Sequence, residues 1–226
     1  MTYDLYIGDR TFSSWSLRGW LMMEKFDLPY RTNLVGLYSG TMPEDLAPLA
    51  PARLVPVLRT PEGDVIGESV AMAETLAERH PDVPFWPHDA RLRARARWLC
   101  AEMASGFAAL RDACPMQLQH VTTGFVPNAE VLADLARLEA IWRSARDLSG
   151  SENGWIFGDY SLADVFYAPV AARIIGYDLP VSDAALSYCQ TTISDRAFKV
   201  WRADGLKVTY DPFPYPMGGG TRDWPV

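Results

Sequence analysis

Cysteine is scarce in this chain. Three occur in 226 residues, at Cys100, Cys114 and Cys189, and no two share the spacing of zinc ligands or of a redox C-x-x-C pair. So few and so dispersed, they argue against a disulfide scaffold. Histidine is equally sparse: His80, His88 and His120 are the whole supply, and no metal site is expected. Positive charge is also short. Lys and Arg number 21 against 28 Asp and Glu, a net charge of −7 with a pI near 5.0. Nucleic acid as the main partner needs a basic face, and this balance argues against one. A local positive pocket for a small anion stays compatible with it. No run approaches the ~18 uninterrupted apolar residues of a membrane span. The start, "MTYDLYIGD", carries an acid early and lacks the basic stretch and long apolar run of a signal peptide. A cytoplasmic protein with reduced thiols is expected.

What is present is ordinary globular material, 49% hydrophobic and 22% charged, in a length that suits one large domain or two small ones. The first eighty residues alternate element types. Tyr3–Gly8 reads as a buried strand, Ser14–Phe26 as a helix ended by Asp27-Leu28-Pro29, and Tyr30–Gly36 as a strand. A Gly- and Pro-rich loop follows, with one helical turn near Glu44–Leu49. Two short strands then flank a turn at Pro61–Asp64, and a helix covers Ser69–His80. "HPDVPFWPHD", with three prolines in ten residues, reads as a linker.

Beyond it strand signals nearly vanish. One long helix is expected over Asp89–Ala113, another over Asn128–Leu148 with Asn128 as N-cap and Gly150 past its end, and a wholly buried one over Ser161–Ile175. Two shorter helices are expected over Ser182–Gln190 and Ser194–Arg202. The tail, with four prolines and three consecutive glycines, reads as irregular. This pattern predicts an α/β unit followed by an all-α unit: residues 1–80, a linker at 81–90, and a helical bundle over 91–226 with an irregular C-terminal tail.

Three places carry candidate chemistry. "RTFSSWSLRGW" puts Ser13 and Ser14 where the first strand gives way to a helix. Unpaired N–H groups and the positive end of the helix dipole gather there. One serine suits the N-cap; the second leaves a hydroxyl over for an anion. "RLVPVL" sets Val55-Pro56 at the start of a strand, where a proline is tolerated. A cis bond would aim the Val55 backbone into a cleft; a trans strand-start is the plainer reading. "GESVA" sets Glu68 and Ser69 at the joint into the third helix. Ser69 suits an N-cap there. It also suits an anion cradle, with Glu68 beside it for a cation, a pairing matched to a zwitterionic amino-acid head group. The same letters resemble a degenerate nucleophile elbow, which would need a late histidine that the chain lacks. Further on, Ser161-Leu162-Ala163-Asp164 is a capping box with a structural role.

Four stretches in order, spanning nearly the whole chain, resemble the cytosolic glutathione S-transferase family: "SSWSLRGWL", "APARLVPVL", "ESVAM" and "WIFGDYSLADVFYAPV". The first is similar to the serine-bearing helix of the zeta-like and related bacterial classes. The resemblance implies a thioredoxin-like domain followed by the family's helical domain, in a homodimer. It implies glutathione as co-substrate, no metal, and a small electrophile as the second substrate in a detoxification-type transfer. Glutathione-dependent isomerisation of the maleylacetoacetate isomerase kind is the zeta-like variant.

By the same resemblance Ser13 stands at the first cysteine position of a redox motif, Ser13-Ser14-Trp15-Ser16 being an S-x-x-S version. Val55 and Pro56 would pair with the cysteinyl backbone of glutathione, and Glu68 and Ser69 would hold its γ-glutamyl end. Ser13, Ser14 and Thr11 all stay open as the group that meets the thiol. Arg53 is a candidate for the glycyl carboxylate. Trp15, Met103, Phe107, Leu110 and Phe213 are candidates for an electrophile pocket. A catalytically silent binding module on the same scaffold is the alternative reading.

Overall fold

The computed structural model describes residues 2–152, 154–209 and 220–225. Strand β1 (Tyr3–Ile7) leads to helix α1 (Ser14–Glu24), β2 (Tyr30–Leu34), α2 (Met42–Leu46) with a 3-10 turn at Ala47–Leu49, β3 (Val57–Arg59), β4 (Val65–Ile66) and α3 (Ser69–Arg79). The strands form one sheet in the order β2-β1-β3-β4. In it β1 is parallel to β2 and antiparallel to β3, and β3 is antiparallel to β4.

Alternation along β1 sorts its side chains between two faces. Leu5, opposite Leu58 on β3, joins Leu17, Leu21, Met72 and Leu76 beneath α1 and α3. Tyr6, opposite Val57, turns to a smaller cluster of Val35, Leu46, Leu49 and Val55 beneath α2. Both faces of the sheet are therefore covered. Gly19 allows α1 to approach the sheet closely, since a Cβ there would lie 2.7 Å from Pro56 Cβ.

The remaining elements are mostly helical: α4 (Ala90–Ser105), α5 (Ala108–Ala113), α6 (Ala129–Ser149), α7 (Leu162–Gly176), α8 (Asp183–Ser194) and α9 (Arg196–Gly205). Every residue of α7 is buried, as its unbroken apolar run requires. α7 packs against α1, α4 and α8, so the main core runs from the sheet through α1 into the helices. The capping box at its start is formed. Asp164 Oδ2 accepts from Ser161 N–H at 2.9 Å and from the Ser161 hydroxyl at 3.2 Å, and Oδ1 accepts from Ile156 N–H at 3.1 Å. Burial pushes the Asp164 carboxyl up to about 6, against the pull of those three donors. Asn128 caps α6 through Val131 N–H, and Gly150 ends it in the left-handed region.

Several expectations are corrected. The helix expected over Asp89–Ala113 is two helices. Gly106 is extended, where a Cβ would stand 2.9 Å from the Glu102 carbonyl oxygen, and Phe107 takes a positive φ of 57°. Asp134 meets the restarted helix, accepting from Leu110 N–H at 2.9 Å. Glu68, not Ser69, holds the N-cap position of α3, and Asp195 caps α9 through Ala197 N–H. The tail is not wholly irregular. Strand β6 (Thr221–Arg222) pairs antiparallel with β5 (Val121–Thr122), and Trp224 packs against Gly176. Phe213 and most of the tail lie outside the described residues. Among the described residues no helix is long and apolar enough to cross a membrane.

Candidate functional site

The N-terminus of α1 is built from a relay of hydroxyls. Ser13 is the N-cap: its Oγ accepts from Ser16 N–H at 3.3 Å and donates to Ser16 Oγ at 2.8 Å. Ser16 Oγ in turn accepts from Gly8 N–H at 2.9 Å, which ties the helix start to the end of β1. Thr11, fully buried, donates its hydroxyl to the Gly205 carbonyl at the end of α9. Ser14 differs from both. Its Oγ accepts from Arg173 Nη2 on α7 at 3.4 Å, and no described residue accepts its proton. Of the three candidate hydroxyls, Thr11 and Ser13 have committed their protons and Ser14 has not.

Cations gather behind Ser14. Trp15, half-buried, meets two guanidinium groups, with Arg18 4.2 Å and Arg111 5.2 Å from its ring centre. Arg18 is 1% exposed. Its Nε donates to the Phe166 carbonyl, while Nη1 and Nη2 hydrogen-bond no described residue. Burial, together with the nearby charges of Arg173 and Arg111, lowers its pKa well below the ordinary arginine value. Neither Arg18 nor Arg111 forms an ion pair among the described residues. Met103, Phe107 and Leu110, candidates for an electrophile pocket, are buried in the main core.

The Val55–Pro56 bond is cis. No described residue hydrogen-bonds the Val55 N–H or C=O, and Val55 packs close to Gly8, 3.2 Å from where a Cβ would stand there. The backbone just before Val55 and the start of α3 share a cavity of about 320 Å³, lined by Ala52, Arg53, Leu54, Val65, Gly67 and Glu68, with Pro51. Glu68 is exposed and Ser69 buried. The Ser69 hydroxyl bonds no described residue, and it sits in a first turn without acidic side chains. No histidine hydrogen-bonds Ser69; His80 meets Tyr3 at the opposite end of α3, so a nucleophile elbow has no base here. Among the described residues no cluster of three His, Cys, Asp or Glu side chains is arranged to hold a metal ion.

Residues 12–79 match the family model of the glutathione S-transferase N-terminal domain. Over these residues the chain is similar to the glutathione S-transferase N-terminal domain. Among curated relatives, a probable maleylacetoacetate isomerase from Caenorhabditis elegans is 39% identical over 114 residues, covering 50% of this chain and 52% of that protein. A maleylacetoacetate isomerase from Dictyostelium discoideum is 30% identical over 109 residues, covering 48% and 49%. The chain thus spans about half the length of the curated relatives it matches. A glutathione transferase homologue from Burkholderia, solved with bound glutathione, superposes with a TM-score of 0.68 at 22% identity, covering 92% of this chain and 99% of that one. A glutathione transferase from Methylococcus capsulatus does so with a TM-score of 0.66 at 19% identity, covering 91% and 100%. At those identities the shared property is the fold, the family's thioredoxin-like sheet followed by helices.

The sequence reading missed the arginines behind Ser14. They lie on α1, α5 and α7, and no local spacing connects them. Arg18 alone carried a signal, a charged residue inside the otherwise apolar stretch of α1.

Proposed function

We propose that the protein is a glutathione transferase of the zeta-like kind. Glutathione's thiol loses its proton at the start of α1, and the thiolate attacks a small electrophile. Residues 1–80 are the glutathione-binding domain, 81–90 a linker and 91–226 the helical domain, paired in a homodimer. The Val55 backbone pairs with the cysteinyl unit like an added strand. Ser69 and the free N–H groups of α3 take the γ-glutamyl carboxylate, with Glu68 taking its ammonium group. Arg53, exposed on the same cavity, is the candidate for the glycyl carboxylate.

One observation carries the reading: of the three candidate hydroxyls, Ser14 alone has no acceptor for its proton among the described residues. A free thiol has a pKa of ~8.5, and lowering it by about two units takes roughly 2.7 kcal/mol. A hydrogen bond donated to the thiolate contributes ~1.5–3 kcal/mol, and the helix N-terminus adds ~0.3–1. The serine stays neutral throughout.

Isomerisation is the reaction class favoured among the electrophile chemistries. The two curated relatives bear that name, and their substrate is a carboxylic acid. Arg111, half-buried over Trp15 with no ion pair among the described residues, suits a carboxylate-bearing substrate. The thiolate would add to an activated double bond, the resulting single bond would rotate, and elimination would return the thiolate. Ultraviolet titration of the bound thiol, with turnover of a keto acid bearing one activated cis double bond and of haloaromatic electrophiles, tests the proposal. A thiol of normal acidity and no turnover would leave the catalytically silent binding module as the reading.

A further inference from the structure

Arg173 stands where no thioredoxin-like unit by itself could supply a residue. It belongs to α7, the wholly buried helix, is 4% exposed, and reaches back to the start of α1. Its guanidinium spans three acceptors on three different segments. Nε donates to the Cys114 carbonyl at 2.8 Å, Nη1 to the Pro169 carbonyl at 3.2 Å, and Nη2 to Ser14 Oγ at 3.4 Å. The two carbonyl bonds fix the plane of the fork, and that plane fixes the direction of the third bond. The third is long, as catalytic hydrogen bonds commonly are before a ligand tightens them.

A serine hydroxyl can donate once and accept twice. Left alone at a helix N-terminus, Ser14 could turn its proton toward any nearby carbonyl or its lone pairs toward the helix N–H groups, as Ser13 does. A guanidinium can only donate. An N–H aimed at Ser14 Oγ therefore forces that oxygen to accept on the Arg173 side, and leaves its proton for whatever docks on the other. The donor also polarises the hydroxyl, which strengthens the hydrogen bond it gives.

We propose that Arg173 is a positioning residue for thiol activation: from the helical domain it orients Ser14 so that the Ser14 hydroxyl donates to glutathione's sulfur. This rests on Ser14 as the thiol's partner, as proposed above. The other cations packed there are Arg18 and Arg111, and the thiols of Cys114 and Cys100 that face the cluster are held neutral by burial. Through the Arg173–Ser14 bond the helical domain would set the acidity of glutathione's thiol.

The test is a double-mutant cycle read on the pKa of bound glutathione, by ultraviolet thiolate absorbance, with thermal denaturation run alongside. Ser14→Ala is expected to raise that pKa by about one to two units. Arg173→Gln and Arg173→Lys, which keep a donor for the Cys114 or Pro169 carbonyl, are each expected to raise it by about half a unit to one unit. Combining either with Ser14→Ala should add nothing to Ser14→Ala alone. A purely structural role would lower the melting temperature without moving the thiol pKa.

A folded Arg173 variant with a wild-type thiol pKa, beside a shifted Ser14→Ala, overturns the inference and spares the reading of Ser14. An unshifted Ser14→Ala overturns that reading itself. A measurement without variants decides the matter should neither Arg173 variant fold. In isotope-labelled wild-type protein the Arg173 side-chain NMR resonances should move with glutathione and not with S-methylglutathione. Equal responses to both would overturn the inference.

Discussion

Ser13 and Ser14 are neighbours of the same residue type, and the structure gives them opposite work. Ser13 accepts from Ser16 N–H and gives its single proton to Ser16 Oγ. Replacing it with alanine removes an N-cap, at a cost of about 1 kcal/mol, and releases Ser16 Oγ from one partner. The melting temperature should fall by about 2–4 °C for a chain of this size. The bound thiol should titrate as before, because no proton was on offer to it from Ser13.

Ser14→Ala should do the reverse. The alanine keeps the helix start, since Ser13 remains as cap, and stability should change little. The thiolate instead loses a donor worth ~1.5–3 kcal/mol. At 1.36 kcal/mol per unit that raises its pKa by about one to two units. At about pH 5.5, below both values, the thiolate population and hence kcat/KM should fall about tenfold to a hundredfold. The deficit should close as pH rises past the variant's own thiol pKa, where both proteins carry thiolate. The assay is a pH–rate profile with a haloaromatic electrophile beside thermal melts of both variants. A Ser13→Ala protein with the larger shift in thiol pKa, or a Ser14→Ala protein with none, would refute the reasoning from committed protons.

Three further outcomes follow from the packing. Gly19→Ala sets a Cβ 2.7 Å from Pro56 Cβ, so it should destabilise the protein by about 1–3 kcal/mol despite alanine's better helix propensity; calorimetric glutathione titration should show weaker binding as α1 shifts from Pro56. Asp164 titrates near 6 in the fold against 3.8 for a free side chain, so its contribution favours the fold below about pH 4 and is lost as pH rises through 6; denaturant melts should show wild-type stability falling by about 2–3 kcal/mol relative to Asp164→Asn between about pH 4 and pH 7. Cys100, Cys114 and Cys189 are all within 1% of full burial, with thiols pushed up by desolvation, so iodoacetamide at neutral pH should label none of them in the native protein and leave its activity intact, as mass spectrometry and turnover would record.

Much of this architecture was legible from local pattern. Period-2 alternation marked β1, turn chemistry marked the β3–β4 hairpin, and Asn128 and Gly150 marked both ends of α6 because caps are written in neighbouring residues. The capping box of α7 was readable for the same reason. The break at Gly106-Phe107 was not, because the residues before and after it are good helix formers. What receives the second helix is Asp134, more than twenty residues away. The β5–β6 ribbon was invisible too, since it joins segments about a hundred residues apart and each strand has only two residues. At the site, Glu68, Ser69, Val55 and the serines were recognisable as types. Ser13 meets a local partner, Ser16, but the settings of the Thr11 and Ser14 hydroxyls depend on Gly205 and Arg173, which are tertiary partners.

Those partners bear on why this joint carries hydroxyls and not a thiol. A cysteine at the N-terminus of α1 would feel the helix dipole and the nearby cations, and would ionise readily. It would then compete with glutathione's sulfur for the same electrostatic support and would trap it as a mixed disulfide under oxidising conditions. A serine feels the same field and keeps its proton, so under the proposed function the stabilisation of negative charge would pass to a sulfur docked against it. The arrangement works only where the protein's own thiols stay out of reach, and burial of the three cysteines meets that requirement. The positive field that would make a cysteine reactive here is therefore the field that makes a serine useful.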